Sequence, residues 1–339
     1  MILAEPVVLA PLPWFDGPWA SVQAAIRSDR LGHALLITGP AGIGKRRFAD
    51  LLAAALLCAR PTPEGLPCAA CDDCRLLAAG NHPDLTRLVP DADSKTREIK
   101  VDQVRALCSG QAMTSSRGRR AVYRIAPAEA MNRVAANSLL KTLEEPAAAT
   151  LWLLVSEAHG GLPATIRSRC HRLALAVPAV ADALPWLRGQ LDGKGDPERL
   201  LTVAHGAPLR ALAMADEGQL EARARCLDDL SAVSAGRTDP LAAAQAWQSL
   251  EPGLVLDWLA GWVSDRLRLA ADAAAPHLTN PDQRRLLASI APGLDPKQGH
   301  RYLQRVYAAR AEATSTVNKQ LLFEALLLRW AELSRAGRA

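Results

Sequence analysis

Between residues 14 and 175, stretches with helical spacing alternate with short apolar runs. Val22, Ala25 and Ile26 mark one helix face, ending near Ser28. Ala34 to Thr38 (Ala-Leu-Leu-Ile-Thr) is short, apolar and bounded by glycine, which predicts a buried strand. A glycine-rich loop follows, then a helix over Lys45 to Leu57. Asp84 to Leu88, Val122 to Ile125 and Leu151 to Val155 predict three further strands. Asp102 is placed to cap a helix carrying Val104 and Leu107. A helix over Met131 to Glu144 is stopped by Pro146. Strands alternating with helices predict a mostly parallel sheet covered on both faces.

Strand signals fade after about residue 175. Residues 180 to 218 read as short helices broken by Gly-Lys-Gly and His-Gly-Ala-Pro, and everything from about 219 onward reads as helix. Val255, Trp258, Leu259, Trp262 and Val263 repeat at i, i+3, i+4, i+7 and i+8, the stripe of an amphipathic helix. The last helix, Val317 to Leu333, is apolar around much of its circumference, which places it in a core or against another chain, with the core preferred.

At 339 residues the chain is too long for one small core, so two or three domains are expected. A hydrophobic share of 49% and a charged share of 22% exclude a disordered or low-complexity chain. The net charge of +5 is too small to argue for a nucleic-acid arm or a polybasic membrane anchor. The longest apolar run, Leu51 to Cys58, falls far short of the ~20 residues a membrane span needs. Met1 to Pro6 carries no positive charge before its apolar stretch, so no export signal is expected and the location is read as cytoplasmic. Seven cysteines in such a chain do not suggest a disulfide framework.

Gly39-Pro40-Ala41-Gly42-Ile43-Gly44-Lys45 lies between a predicted strand and a predicted helix, the setting a phosphate loop requires. Glycines let backbone amides turn toward phosphate oxygens, the helix N-terminus adds its dipole, and Lys45 would reach the phosphates. Two parts are missing. Arg46 stands where a Ser or Thr hydroxyl should hold Mg²⁺, and a guanidinium has donors only. The third strand ends in Ala126 and Pro127, not in an acidic pair, and Glu129 comes two positions late. The loop is therefore read as retained while hydrolysis is lost, with nucleotide binding doubtful.

Cys58, Cys68, Cys71 and Cys74 supply four thiolates within a short span, the density a tetrahedral structural Zn²⁺ needs. A proline-containing loop separates them and has little apolar mass to order it. An iron–sulfur cluster fits less well, because a ferredoxin-type pattern wants a further cysteine where Ala78 stands. Four free thiols remain a third reading. A nucleic-acid-reading finger is disfavoured by Asp72 and Asp73 beside a single Arg75.

The matching pieces come in a fixed order. They are His33-Ala34-Leu35-Leu36, the glycine loop, the cysteine cluster, His82-Pro83-Asp84, Val101-Asp102-Gln103-Val104-Arg105, the run Asn137 to Pro146 (Asn-Ser-Leu-Leu-Lys-Thr-Leu-Glu-Glu-Pro) and Ser168-Arg169-Cys170. Together they resemble the clamp-loader branch of AAA+ proteins over most of residues 30 to 175. Gly206 to Leu212 and Asn318 to Trp330 match more weakly.

The resemblance implies a fold that is α/β and then all-α. It consists of an AAA+ P-loop parallel sheet with helices on both faces over 1–175, with a zinc-binding insertion at 58–74. A small helical lid over 176–218 and a C-terminal helical collar for oligomerisation over 219–339 complete it. It implies a non-hydrolysing stator subunit of the DNA polymerase III clamp loader. Its partners would be gamma/tau-type motor subunits and a delta-type subunit in a hetero-pentamer that loads a sliding clamp on primed DNA. On the residues alone Arg167 and Arg169 are a solvated turn. By the resemblance Arg169, flanked by Ser168 and Cys170, becomes an arginine finger reaching a neighbour's γ-phosphate, a role worth about 10³–10⁵ in turnover elsewhere. The family's lid also carries a nucleotide-sensing Arg, and here that position is Leu209, with Arg210 one later.

Two other classes stand against this reading. An active AAA+ motor would hydrolyse ATP with Mg²⁺ on its own, against Arg46, Ala126 and Pro127. A zinc-dependent nucleic-acid module would bind DNA in a salt-sensitive way, against the modest charge. No independent ATPase is expected, and any enzymatic membership is that of a polymerase holoenzyme.

Overall fold

The computed structural model describes residues 6–91, 98–109, 116–117, 120–157, 161–216, 218–313 and 318–336. Met1 to Glu5, read above for an export signal, and Val317, read as the start of the last helix, lie outside these. The described chain divides into two compact units, one comprising 1–190 with 206–210 and the other 191–205 with 211–339.

The first unit is built on a parallel sheet. Its strands are β1 (Ala34–Thr38), β2 (Leu85–Leu88), β3 (Ala121–Ile125), β4 (Thr150–Ser156) and β5 (His171–Ala174). They lie in the order β2-β3-β4-β1-β5, every pair parallel. The helices of this unit are α1 (Asp16–Arg27), α2 (Lys45–Leu57), α3 (Asp72–Ala78), α4 (Val101–Ser109), α5 (Arg133–Glu144), α6 (Ala164–Arg167) and all but the last residue of α7 (Val180–Leu191). Strand alternation sorts the core into two layers. Leu35, Ile37, Val122, Leu151, Leu153 and Val155 face one layer, with Phe48, Leu51 and Leu52 of α2. Leu36, Tyr123, Ile125, Trp152 and Leu154 face the other, with Val104 of α4 and Leu139 of α5. The expected parallel sheet with helices on both faces is thus present.

Four local details differ from the sequence expectation. β5 is a fifth strand where only four were expected. It is an edge strand with mostly exposed residues, so it lacks the apolar run that betrays a central one. α3 arises inside the cysteine loop, where Cys71 caps it by accepting from the Cys74 amide. Asp102 does not cap α4: the helix already begins at Val101, and the side chain of Gln103 takes the Lys100 amide at 2.7 Å. α5 begins at Arg133, behind an Asn132 cap on the Ala135 amide.

A buried ion cluster pins α2 to the sheet. Arg87 and Arg124 are register partners on β2 and β3, and both reach Asp50 of α2, at 3.9 and 3.1 Å.

The second unit is helical. It contains α8 (Pro197–Val203), most of α9 (Pro208–Asp216), α10 (Gln219–Ala235), α11 (Pro240–Trp247), α12 (Pro252–Ala271), α13 (Arg284–Ser289), α14 (Pro296–Glu312) and α15 (Lys319–Ala336). All five stripe residues of α12 are buried. Leu322, Phe323, Leu326, Leu327 and Trp330 of α15 enter the same core, so the last helix is a core helix. Leu321 and Leu328 stay exposed. Three buried indoles keep hydrogen-bond partners: Trp330 donates to Ser234 Oγ at 2.6 Å, Trp262 to Gln283 at 2.8 Å and Trp247 to Asp229 at 3.0 Å. Among the described residues no helix is long and apolar enough to cross a membrane.

Candidate functional site

The glycine loop leaves β1 at its C-terminal end and enters α2 at Lys45. Gly42 and Gly44 both need the left-handed backbone region, at φ +78° and +96°. Both are also crowded by the chain itself. A Cβ on Gly42 would lie 2.5 Å from Arg210 Cβ, and one on Gly44 would lie 2.7 Å from Leu12. Leu209 donates its amide to the Gly42 carbonyl at 2.9 Å, and the Trp14 indole donates to the Ile43 carbonyl at 2.8 Å. The cradle is therefore lined by protein on two sides.

Lys45 is only 4% exposed. Its ammonium donates to the Pro40 carbonyl of its own loop at 2.5 Å and lies 3.9 Å from Glu157, at the end of β4. Burial lowers its pKa, against the opposing pull of Glu157 and Glu129. Arg46 is exposed, and Ala126 and Pro127 end β3 with no carboxylate. Glu129 accepts the Glu157 amide at 2.8 Å, so it ties β4 down. Neither Trp14 nor Glu157 was singled out by sequence, because each reaches the loop across a long separation.

The four cysteines come together. Cys58 ends α2, Cys71 and Cys74 flank the start of α3, and all four Sγ atoms lie within 4.8 Å of one another. Three Sγ separations are 3.6, 3.8 and 4.0 Å. Four sulfurs about 2.3 Å from a tetrahedral ion are about 3.8 Å apart, so the geometry fits a metal. Backbone amides donate to the sulfurs of Cys58, Cys68 and Cys71 at 3.3–3.4 Å. The amides of Ala70 and Cys71 pull the Cys68 thiol down to about 6, whereas burial pushes Cys58 and Cys74 up. This cluster can bind a metal through four protein ligands, which leaves no open position for catalysis.

Arg169 follows α6 and precedes β5. It is held by Glu144, the last residue of α5, through Nε at 2.8 Å and Nη2 at 2.5 Å. Nη1 donates to the Thr165 carbonyl at 3.0 Å and to Ser168 Oγ at 3.3 Å. Ser168 in turn donates to Thr165. Cys170 packs against the sheet core, and burial pushes its thiol up to about 11. The phosphate loop, the cysteine cluster and the Ser-Arg-Cys turn are three separate places. Glu144 was noted only as part of a run. Its signal was an acidic residue at a helix C-terminus, where the macrodipole disfavours it.

Comparison with known proteins now has a structure to fit. The family described as "DNA polymerase III, delta subunit" matches residues 17–179, and "DNA polymerase III, delta subunit, C terminal" matches 217–332. The chain is 35% identical over 329 residues to the DNA polymerase III subunit delta' of Pseudomonas aeruginosa, covering 96% of this chain and 98% of that one. It is 32% identical to the same subunit of Escherichia coli (strain K12), covering 94% of each. A shorter match, 37% over 194 residues, is to the tau subunit of Salmonella typhimurium, and covers 56% of this chain and 29% of that one. With a relative of this identity aligned along almost its whole length, the chain belongs to the delta-prime subunit family of bacterial DNA polymerase III.

Proposed function

We propose that this chain is the non-hydrolysing stator of a DNA polymerase III clamp loader. The observation that carries the reading is the state of the phosphate loop. Its lysine is buried on the loop's own carbonyl, and its cradle is pressed by Leu209, Arg210, Leu12 and Trp14. Both positions that should hold Mg²⁺ lack an oxygen ligand. Such a loop keeps the scaffold and not the chemistry.

In this reading residues 1–175 form the AAA+ domain, 176–218 the lid and 219–339 the collar. The partners are gamma/tau-type motors and a delta-type subunit in a hetero-pentamer that acts on a sliding clamp and primed DNA. Arg169 serves as the finger for a neighbour's ATP. The reading is supported by its placement on an exposed turn and by the resemblance of Ser168-Arg169-Cys170 to the family motif. Zinc is the metal proposed for Cys58, Cys68, Cys71 and Cys74. Four thiolates favour it, and it would order a loop of little apolar mass.

The test is ATP hydrolysis by the purified chain alone, with Mg²⁺ and primed DNA. No turnover is expected. Turnover that disappears in Lys45→Ala would overturn the stator reading and make the chain a motor. Metal analysis of the same sample should find about one zinc per chain.

A further inference from the structure

The guanidinium of Arg169 spends all three nitrogens inside its own chain. Nε and Nη2 form the edge that grips a phosphate or carboxylate with two parallel N–H bonds. Nε donates to Oε1 of Glu144 at 2.8 Å, and Nη2 lies against the same oxygen as an ion pair at 2.5 Å. The other two-nitrogen edge is blocked as well, because Nη1 serves the Thr165 carbonyl and Ser168 Oγ. Arg169 cannot take a phosphate with two hydrogen bonds while this arrangement lasts.

Glu144 gains nothing for its own helix by standing where it does. It closes α5, where a negative side chain opposes the negative end of the helix dipole. Its partner lies 25 residues away and on another element. The pair is also half open to water, with side-chain exposures of 36% for Arg169 and 49% for Glu144. Water and salt screen such a pair, so it orients the arginine and releases it readily. A terminal phosphate carries more charge than a carboxylate and offers several acceptor oxygens to the same edge.

We propose that Glu144 is a positioning residue that holds Arg169 on its own subunit. It yields the guanidinium to the terminal phosphate of a nucleoside triphosphate bound by the adjoining subunit. The inference rests on the reading of Arg169 as a finger acting in trans. No covalent bond changes at this step: the Nε hydrogen bond and the Nη2 ion pair to the carboxylate are exchanged for contacts to phosphate oxygens, and Glu144 returns to water.

The experiment uses the full chain assembled with its motor subunits, in wild type, Glu144→Gln, Arg169→Ala and the double variant. Glutamine keeps the size and removes the charge at an exposed site. Basal ATP turnover, without clamp or DNA, should rise about two- to fivefold in Glu144→Gln, the range an exposed ion pair supports. The rise should lie in kcat with KM little changed. It should vanish when Arg169 is already Ala, which a merely structural role for Glu144 would not produce. Unchanged or reduced turnover in Glu144→Gln, with Arg169→Ala still depressed, overturns the proposal and leaves the finger standing. Full turnover in Arg169→Ala overturns the finger itself. In the free subunit, NMR of the arginine Nε–H should show faster side-chain rotation at Arg169 in Glu144→Gln, and unchanged rotation would also overturn the proposal.

Discussion

The backbone amide of Leu209 donates to the carbonyl of Gly42 at 2.9 Å. By the family resemblance, position 209 is where a nucleotide-sensing arginine would sit. Here a leucine main chain binds the phosphate loop directly, and Arg210 backs onto the same glycine. The Leu209 amide braces the loop. Replacing Gly42 with Ala should destabilise the first unit by about 2–4 kcal/mol, combining a left-handed φ with a new Cβ against Arg210. Thermal unfolding checks this, and an unchanged midpoint would mean the loop is not braced.

Lys45 has its pKa lowered from 10.5 by burial. Between the lowered folded value and 10.5 the unfolded chain binds more protons at this site than the folded chain. This residue therefore makes stability rise with pH across that alkaline window. Lys45→Met should remove that rise, seen as a flatter pH dependence of denaturant midpoints. Identical slopes in both proteins would show that Lys45 is not desolvated.

Asp50 joins two buried arginines. Asp50→Ala leaves Arg87 and Arg124 buried without this carboxylate, which costs about 3–5 kcal/mol for a broken buried pair. Equilibrium urea unfolding measures it, and a loss below about 1 kcal/mol would mean water already screens the cluster.

Stripping metal from the cysteine cluster should raise amide hydrogen exchange across residues 58 to 74 while β1, β3 and β4 keep their protection. The sheet has its own two-layered core and does not depend on the cluster. Loss of protection throughout the sheet would assign the metal a far larger part in folding.

Trp330 fills the core of the second unit and donates to Ser234 Oγ at 2.6 Å. Trp330→Ala should cost about 3–5 kcal/mol, and Ser234→Ala about 1–3 kcal/mol through the orphaned indole N–H. Calorimetry of both variants tests the order. A larger loss for Ser234→Ala would reverse it.

The elements legible in the sequence were those whose apolar pattern is complete within a few residues. β1 and α2 fall where the Ala-Leu-Leu-Ile-Thr run and the glycine loop placed them. The α12 stripe is buried at every expected position. β5 was missed because an edge strand with exposed His171 and Arg172 carries no such run. The cysteine cluster was legible because its ligands are close in sequence. The closure of the phosphate loop was not, because Trp14 lies 29 residues before Ile43 and Leu209 much further from Gly42. The Glu144–Arg169 contact was hidden for the same reason. Tertiary folding made these pairs, and no local spacing announces them.

α2 begins at the phosphate loop, meets Asp50's arginines midway and ends at Cys58. Its 13 residues make a rod about 20 Å long, anchored at both ends and in the middle. A rod so anchored carries load. A push on the cysteine cluster moves the glycine loop with little bending between. The helix therefore keeps its place through protein contacts that owe nothing to a ligand at its tip.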